Sequence, residues 1–418
     1  MDRFVVRGGR ALSGAIPVGG AKNAALPIMA AALLSPATSR ARGVPKLNDV
    51  ETMVRLLEIL GARVSRGEHE VVIDASSVNS VTAPYDLVRT MRASFYVLGP
   101  LLARFGRARV SLPGGCAWGP RPVDLHIEAM KALGARVSIE HGDVIAEAER
   151  LRGAEIVFRI PSVGATGNAM MAACLAQGTT VIENAAREPE MPALAAYLNG
   201  MGAKIEGAGT SRILIEGVAS LGGGDDAIIP DRIEAGTFLV AGAITRGRVE
   251  AVGADPSHLG ALMSLLREAG ATVETTLRGV AVSMDRRPHA VDVATAVYPG
   301  FPTDLQAQIM ALLAVSEGTG TVTETIYYDR FTHVPELQRL GADIRLEGNA
   351  ASVRGVPSLF GARVMSTDIR ASAGLILAAL VAEGTTAISR IYHIDRGYEA
   401  IEEKLRGAGA DIRRERET

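Results

Sequence analysis

The sequence predicts an α/β protein built from six copies of one βαβαββ unit, arranged as two similar domains of three units each. Three observations lead to this fold class. A short Gly-Ala signature recurs six times, an amphipathic helix pattern precedes each copy, and an almost wholly apolar helical segment comes earlier in each unit. A unit of about 70 residues is too small to bury an apolar helix by itself, so the units must pack against one another.

The repeated signature marks the end of a helix and the start of a strand. Its copies are the five-residue runs that begin at Leu60, Leu133, Met201, Ala269, Leu340 and Ala408. Their glycines are separated by 73, 68, 68, 71 and 68 residues, by subtraction of the residue numbers. We expect each glycine to adopt a left-handed conformation just past a helix C-terminus, because glycine does so without steric cost. The β-branched residue three positions later should open a strand.

Each unit is predicted to run strand, buried helix, strand, outer helix, strand, strand. The buried helices begin near Asn23, Ala93, Ala165, Ala235, Leu305 and Ala371. A helix that is apolar on every side belongs inside a layer of other elements. Small-residue turns such as Gln177-Gly-Thr-Thr open the strand between the two helices.

The six units divide naturally between the third and the fourth. We expect residues 22–229 to form a first three-repeat domain that carries Cys116, and residues 1–21 plus 230–418 to form a second, with the active site in the cleft between them. The glycine-rich run that starts at Leu221 suggests a hinge within residues 217–231. The last six residues, from Arg413, are expected to form a solvated end.

Composition excludes several classes of protein. With 48% hydrophobic and 22% charged residues the chain is typical of a globular protein, and a net charge of −2 gives no nucleic-acid footprint. The apolar segments are too short for membrane insertion, and the start lacks the apolar run of a signal peptide. Two cysteines make no disulfide framework, which favours a cytoplasmic location. Cys174 lies in an apolar helical setting and is expected to pack in the core.

A loop rich in glycine and proline surrounds Cys116 and Arg121. Pro113, Pro120 and Pro122 disfavour both helix and sheet, so Cys116 should lie on a surface loop. The neighbouring guanidinium would favour the reactive thiolate. On this loop alone, the alternative is that Cys116 is a small apolar residue in a turn.

Charged and polar residues recur at equivalent places in different units. Lys22, Arg92, Ser162, Asp304 and Arg370 come at the start of buried helices, and Cys116 with Arg121, Arg330 and Arg396 precede the outer helices. Both Asp304 to Arg370 and Arg330 to Arg396 span 66 residues, by subtraction. Cations gathered in phase imply a multiply anionic small ligand. Taken singly, each arginine could be a solvated surface charge, and Asp304 could be an N-terminal helix cap.

Other chemistries find little support in the sequence. Gly19-Gly-Ala-Lys lacks the full pattern of a nucleotide-phosphate loop, so a nucleoside triphosphatase is not expected. His126 and His393 have no metal-ligand spacing, and a structural role is the better interpretation for both. We therefore expect no metal and no cofactor.

Several motifs resemble the enolpyruvyl transferase family, and within it the enzymes that act on UDP-N-acetylglucosamine. They are Gly20-Ala-Lys-Asn-Ala-Ala-Leu-Pro, Thr90-Met-Arg-Ala-Ser, Leu112-Pro-Gly-Gly-Cys, Arg121-Pro-Val-Asp-Leu-His, Phe301-Pro-Thr-Asp and Arg390-Ile-Tyr-His-Ile-Asp-Arg-Gly-Tyr. The resemblance runs essentially from end to end. It implies the inside-out α/β barrel fold and transfer of the enolpyruvyl group of phosphoenolpyruvate to UDP-N-acetylglucosamine, the first committed step of bacterial peptidoglycan synthesis.

The resemblance also implies roles for individual residues. Lys22 matches the lysine that binds phosphoenolpyruvate, Asp304 the carboxylate that takes the proton of the sugar hydroxyl, and Cys116 the general acid that the inhibitor fosfomycin alkylates. Arg396 matches a fourth catalytic position. The resemblance implies substrate contacts for Lys22, Asp304 and Arg396. It implies the same for Asn23, Arg92, Arg121, Pro122, Val123, Asp124, Leu125, Ser162, Val163, Gly164, Ile326, Arg330 and Arg370.

One motif departs from the family pattern, and two rival functions stay open. The pattern often has Glu-Asn before the arginine at position 330, where this chain has Tyr328-Asp329. The nearest rival is a transferase like 5-enolpyruvylshikimate-3-phosphate synthase, which shares the fold and the transferred group. A non-catalytic paralogue that binds the sugar nucleotide is the other, although it would be expected to have lost Asp304 or Lys22.

Overall fold

The computed structural model describes residues 2–112 and 123–416. The chain divides into two compact units: an N-unit, Gly20–Ile229, and a C-unit, Met1–Gly19 with Pro230–Thr418. The divisions thus fall after Gly19 and after Ile229, where the sequence suggested residues 21 and 229.

The strands of the described residues are short, mostly of three to six residues. In chain order they are β1 Asp2–Arg7, β2 Ser13–Pro17, β3 Thr38–Arg42, β4 Arg63–Arg66, β5 Glu70–Asp74, β6 Thr82–Ala83, β7 Arg107–Ser111, β8 Arg136–Glu140, β9 Asp143–Glu147, β10 Glu155–Val157, β11 Thr179–Glu183, β12 Lys204–Glu206, β13 Arg212–Glu216, β14 Asp225–Ala227, β15 Arg248–Val252, β16 Thr272–Thr275, β17 Gly279–Ser283, β18 Val293–Ala294, β19 Thr319–Thr323, β20 Asp343–Glu347, β21 Ala350–Arg354, β22 Arg363–Met365, β23 Thr385–Ser389 and β24 Asp411–Arg416.

The helices alternate with these strands. They are α1 Lys22–Ala31, α2 Asn48–Ile59, α3 Tyr85–Val88, α4 Leu98–Phe105, α5 Asp124–Ala132, α6 Val163–Ala173, α7 Glu190–Gly200, α8 Arg232–Ile244, α9 Gly260–Glu268, α10 Gln306–Ala314, α11 Val334–Arg339, α12 Ile369–Val381 and α13 Ile401–Gly407. Short 3₁₀ helices cover Ala32–Leu34, Arg92–Val97, Pro256–His258, Thr303–Leu305 and Ile391–Arg396. None of the helices described here is long and apolar enough to cross a membrane.

The described part of the chain forms six four-stranded sheets that share one topology. Their strand orders are β14-β3-β5-β4, β6-β7-β9-β8 and β10-β11-β13-β12 in the N-unit, and β2-β15-β17-β16, β18-β19-β21-β20 and β22-β23-β1-β24 in the C-unit. In each sheet the first two strands are parallel and the other pairs are antiparallel. A parallel pair needs a crossover connection, which the buried helices α4, α6, α10 and α12 supply in four of these sheets. The predicted βαβαββ repeat is therefore confirmed.

Two segments expected to lie outside the repeats belong to sheets instead. β14 lies in the suggested hinge, yet Asp225 pairs with Arg40 and closes the first sheet of the N-unit. The C-terminal end, expected to be a solvated tail, forms β24, in which Arg413 pairs with Val5. The expected solvated tail was wrong for residues 413–416, because backbone groups that find a neighbouring strand are better satisfied in a ladder than in a loop. The division between the two units falls after Ile229, within the suggested residues 217–231, although part of that segment is the strand β14.

The glycine signature behaves as predicted. Gly61, Gly134, Gly202, Gly270, Gly341 and Gly409 have φ values of 99°, 92°, 102°, 98°, 96° and 101°. Each one follows an outer helix, in the region where a side chain would be strained.

Each unit has its own hydrophobic core around three buried helices. These are α1, α4 and α6 in the N-unit and α8, α10 and α12 in the C-unit. Small residues let the helices approach closely, since a Cβ on Gly374 would lie 2.7 Å from the Ala307 carbonyl oxygen. Cys174 follows α6, fully buried, and burial raises the pKa of its thiol to about 12, in agreement with the predicted packing role. Of the predicted site residues, Lys22 opens α1, Ser162 caps the N-terminus of α6, and Arg370 lies in the first turn of α12.

Candidate active site

Lys22 opens the first buried helix of the N-unit. It is only 8% exposed, and its Nζ donates a hydrogen bond of 3.1 Å to the Asp49 carboxylate on α2, itself 4% exposed. Asn23 follows as the second residue of α1. Burying an ammonium group is costly unless it is paired, so Asp49 stabilises the lysine in place. The sequence reasoning did not identify Asp49, which lies 27 residues away from Lys22 along the chain.

The residues at the N-terminus of α6, Ser162, Val163 and Gly164, are half-buried. Ser162 caps the helix, with its Oγ accepting from the Ala165 N–H at 3.3 Å, and Val163 and Gly164 form the first turn. Helix N-termini present unsatisfied backbone N–H groups and partial positive charge, which favour phosphate. The geometry is compatible with the predicted role of these three residues at a diphosphate.

His126 on α5 lies against that first turn. Its Nδ1 is 2.9 Å from the Asn168 Nδ2, and a Cβ on Gly164 would lie 3.0 Å from the imidazole Nε2. Because an amide nitrogen is a donor only, Nδ1 accepts and Nε2 carries the proton. His126 is therefore a satisfied buried histidine, as expected from its lack of metal-ligand spacing.

Other predicted residues surround this histidine. The 3₁₀ helix that begins at Arg92 places the Phe95 ring 5.1 Å from the His126 ring, and burial, followed by the charge of Arg92, lowers the pKa of His126 to about 3. Val123 and Leu125 are buried, and the Asp124 carboxylate pairs with Arg159. The N-unit thus gathers Arg92 and residues 123–125 near the start of α6.

The free energy of unfolding should depend on pH because two histidines are buried in the folded protein. Burial first, and then Arg92 or Arg330, lowers the pKa of His126 and of His333 from 6.5 to about 3. The unfolded chain therefore takes up protons below pH 6.5 that the folded chain refuses, so stability falls as the pH drops from 6.5 towards 3. The loss reaches at most about 1.4 kcal/mol per pH unit for each histidine.

Urea unfolding at several pH values checks this prediction. His333→Leu should flatten the pH dependence of the free energy of unfolding by removing one titrating group. His289→Gln is the matched control, because the side chain of His289 is 53% exposed. Equal pH slopes for His333→Leu and the parent would contradict the prediction.

Asp304 is held between two arginines in the C-unit. Its Oδ1 accepts from the Arg330 Nη1 at 2.9 Å, and its Oδ2 accepts from the Arg370 Nη2 at 3.0 Å and Nε at 3.2 Å. Neither Asp304 nor its neighbours cap α10 through a side chain, so the alternative role as an N-terminal cap is wrong. The carboxylate side chain is 26% exposed, against 12% and 4% for Arg330 and Arg370. Solvent and ligands thus reach the acid more readily than its partners.

Asp304, Arg330 and Arg370 form a cluster that we call the clamp, and the groups around its two arginines keep both of them charged. Burial works against the charged form of Arg370, but Asp304 together with Tyr398 and Asp231 outweighs it and raises the pKa. Arg330 follows the same pattern, with burial opposed by Asp304 and Asp368. Both guanidinium groups therefore stay charged.

A buried polar network lies beneath the clamp and was missed by the sequence analysis. The Gln308 Nε2 contacts the Asp304 carbonyl oxygen at 3.1 Å, the Thr237 Oγ1 at 3.0 Å and the Tyr398 hydroxyl at 3.1 Å. The Arg370 guanidinium lies over the Tyr398 ring, 5.3 Å from its centroid. Thr237 lies on α8, Gln308 on α10 and Tyr398 in the connection between the 3₁₀ helix Ile391–Arg396 and α13, so the network ties these elements to the segment that carries Asp304.

The two remaining predicted residues of the C-unit lie close to this clamp. Arg396 ends the 3₁₀ helix Ile391–Arg396, and a Cβ on the next residue, Gly397, would lie 3.6 Å from the Arg370 Nη1. Ile326 is 36% exposed on the loop that leads to Arg330. The C-unit therefore brings Asp304, Ile326, Arg330, Arg370 and Arg396 into one region.

Three predicted residues, Cys116, Arg121 and Pro122, lie outside the described residues. Within residues 2–112 and 123–416 no cluster of histidine, cysteine, aspartate and glutamate could hold a metal ion. The described side chains supply a carboxylate, a buried ammonium group and several guanidinium groups, which suit proton transfer and the binding of anions.

The chain is similar in sequence to known enolpyruvyl transferases. Residues 6–405 match the protein family described as EPSP synthase (3-phosphoshikimate 1-carboxyvinyltransferase). The chain is 55% identical over 415 residues to UDP-N-acetylglucosamine 1-carboxyvinyltransferase of Trichlorobacter lovleyi, covering 99% of each sequence.

Solved structures share the fold. The enolpyruvyl transferase NikO of Streptomyces tendae superimposes with a TM-score of 0.89 at 27% identity, covering 99% of this chain and 98% of NikO. EPSP synthase of Acinetobacter baumannii gives a TM-score of 0.76 at 18% identity over the full length of both chains. The predicted inside-out α/β barrel class is confirmed.

Proposed function

The chain belongs to the EPSP synthase (3-phosphoshikimate 1-carboxyvinyltransferase) family of enolpyruvyl transferases, and from this premise we propose its reaction. It transfers the enolpyruvyl group of phosphoenolpyruvate to the 3-hydroxyl of UDP-N-acetylglucosamine and releases phosphate, the first committed step of peptidoglycan synthesis. The observation that carries the proposal is the 55% identity, over 99% of both sequences, to an enzyme named for that acceptor. The cytoplasmic location expected from the cysteine content stays part of the proposal.

The reaction is an addition followed by an elimination. The sugar hydroxyl oxygen forms a bond to C2 of phosphoenolpyruvate while C3 gains a proton. The bond from C2 to the phosphate oxygen then breaks, and a proton leaves C3 to restore the double bond. Each step needs a proton acceptor or donor at a defined atom.

The residues divide these tasks. Asp304 accepts the proton of the sugar hydroxyl, and its side chain, 26% exposed against 12% and 4% for Arg330 and Arg370, is the most accessible of the three, which supports that role. Cys116 gives the proton to C3. Lys22 and Arg396 bind the anionic donor and stabilise the charge that grows on the departing phosphate.

The residues proposed to contact the substrates come from both units. Lys22 and the start of α6 belong to the N-unit, whereas Asp304, Arg330 and Arg370 belong to the C-unit. The helix N-terminus at Ser162 is assigned to the diphosphate of the acceptor, because backbone N–H groups and a helix dipole favour that charge.

Release of inorganic phosphate tests the function. With phosphoenolpyruvate and UDP-N-acetylglucosamine the protein should release one phosphate per enolpyruvyl group transferred, and with phosphoenolpyruvate alone it should release almost none. Failure to release phosphate with the nucleotide sugar would refute the proposal and would favour a non-catalytic paralogue.

A second acceptor deserves the same assay. The matching family is described by EPSP synthase, so shikimate 3-phosphate is the alternative acceptor. The identity to the solved EPSP synthase is 18%, a level that supports the fold alone. Faster phosphate release with shikimate 3-phosphate than with the nucleotide sugar would reverse the assignment.

Inhibition by fosfomycin probes the role proposed for Cys116. Cys116→Asp should keep turnover but escape inactivation, because a carboxylic acid donates a proton yet resists alkylation by the epoxide. Cys174→Ser is the matched control, since Cys174 is fully buried, and it should be inactivated like the parent. Equally fast inactivation of Cys116→Asp and the parent would show that another group is alkylated.

A further inference from the structure

Glu324 is a fully buried carboxylate, 0% exposed, directly after β19 in the C-unit. Its Oε1 accepts from the Thr295 Oγ1 at 2.7 Å, the Ile326 N–H at 2.9 Å and the Tyr327 N–H at 3.0 Å. Its Oε2 accepts from the Thr303 Oγ1 at 2.8 Å. Four donors thus converge on one buried charge.

The two carboxylate oxygens serve different parts of the site. Oε1 fixes the backbone at the start of the loop that carries Ile326 and leads to Arg330. Oε2 reaches Thr303, the residue before Asp304, and the Thr303 Oγ1 also accepts from the Arg330 Nη1 at 3.0 Å. That same Nη1 donates to the Asp304 Oδ1. A continuous chain of hydrogen bonds therefore runs from Glu324 through Thr303 and Arg330 to Asp304.

We propose that Glu324 is a positioning residue. Through Thr303 and Arg330 it orients the carboxylate of Asp304, the proposed base. Through Ile326 it holds the loop that leads to Arg330, in which Ile326 is a proposed contact of the nucleotide sugar. The inference rests on the proposed function. The Glu324 Oε2 fixes the direction of the Thr303 hydroxyl proton, which leaves an oxygen lone pair of Thr303 for Arg330.

If Glu324 served only to stabilise the fold, a buried carboxylate would be a poor choice of side chain at this position. Taking a charge out of water is costly, and well-packed apolar side chains often replace buried charges without loss of stability. The carboxylate is useful here because it is an acceptor at both oxygens, which fixes every donor around it in one arrangement. Its partners lie on three separate segments, at Thr295, Thr303 and the loop from Ile326.

Glu324→Gln separates the two functions of the carboxylate. The amide oxygen can keep the three bonds at the Oε1 position, whereas the amide nitrogen can only donate towards Thr303. The Thr303 hydroxyl proton then loses its acceptor at position 324, so the hydroxyl must turn to find another one, and the orientation in which its oxygen accepts from Arg330 is no longer fixed. We expect kcat to fall roughly 10- to 100-fold, while the KM for UDP-N-acetylglucosamine stays within about threefold of the parent. Glu324→Ala releases the loop as well and should also raise that KM.

The experiment measures phosphate release with phosphoenolpyruvate and UDP-N-acetylglucosamine for the parent, Glu324→Gln, Thr303→Val and the double variant. Residues of one hydrogen-bonded chain should not act independently, so the double variant should lose little more kcat than the worse single variant. Glu402→Gln is the control, because Glu402 is also buried in the C-unit but bonds to Arg414 instead. Its kcat should match that of the parent.

The outcomes separate the inference from the function on which it rests. An inactive parent would refute the proposed function and this inference with it. An active parent with Glu324→Gln within twofold of its kcat, or losses in kcat that multiply in the double variant, would overturn the inference alone. An equal loss of kcat in Glu402→Gln would show general destabilisation and would also overturn it.

Discussion

Asp304→Asn is expected to lower kcat between about 100- and 10,000-fold, the range typical for loss of a general base. The amide has nearly the same shape as the carboxylate but has no basic oxygen to take the proton of the sugar hydroxyl. Binding of UDP-N-acetylglucosamine should change far less, because the N-unit contacts proposed for the diphosphate are untouched. Steady-state phosphate release gives kcat, and calorimetric titration gives the affinity for the nucleotide sugar.

The same substitution removes the negative charge between two guanidinium groups. Arg370 is buried and the side chain of Arg330 is only 12% exposed, so thermal unfolding must be measured alongside the activity. Breaking a buried ion pair costs about 3–5 kcal/mol, and the kinetics should be recorded well below the unfolding temperature. Asp285→Asn is the matched control, since the Asp285 side chain is 91% exposed, and its kcat should equal that of the parent. Turnover by Asp304→Asn at the parental rate would exclude Asp304 as the base.

The fold was largely predictable because its signals are local. A glycine after each outer helix, a β-branched residue beyond it and an apolar helix earlier in the unit are all visible within about 70 residues. Six copies of those signals were enough to predict the repeat and its number. The φ values of all six signature glycines, from 92° to 102°, agree with that reasoning.

The connections between units were not predictable in the same way. β1 lies between β23 and β24 in the sheet β22-β23-β1-β24, although it comes first in the chain. Its Phe4 pairs with Ile388 on β23 and with Arg414 on β24. β14 closes the first sheet after almost the whole N-unit has been traversed. Pairing between residues so distant in sequence leaves no periodic pattern, and glycine-rich or charged segments look like linkers until a partner strand is known.

In the candidate site, too, some residues could be predicted from the sequence and others could not. The phase of Asp304, Arg330 and Arg370 within their units predicted that they would lie together, and the structure joins them within hydrogen-bonding distance. Their polar supports, Glu324 and Gln308, resembled ordinary residues at the end of a strand and in a buried helix. A buried polar side chain is recognised by the partners that satisfy it, and those come from other segments.

Lys22→Gln is expected to weaken both the fold and the binding of phosphoenolpyruvate. The Lys22 Nζ lies 3.1 Å from the Asp49 carboxylate, and the two side chains are only 10% and 6% exposed. Loss of the cation from a buried pair should lower the free energy of unfolding by about 3 kcal/mol. Loss of a charge-assisted hydrogen bond to the anionic donor should raise the KM for phosphoenolpyruvate roughly 10- to 100-fold.

The two effects can be separated by a second substitution at Asp49. In the double variant Lys22→Gln, Asp49→Asn, an amide pair replaces the ion pair, so the stability should return towards the parent while the KM for phosphoenolpyruvate stays high. Lys46→Gln is the control, since Lys46 and its partner Glu68 have side chains 54% and 81% exposed and such pairs contribute little. A parental KM in the double variant would mean that Lys22 serves only as the partner of Asp49. A KM that stays high with stability restored would show that its ammonium group acts on the donor, because an amide of similar reach supplies hydrogen bonds but no charge.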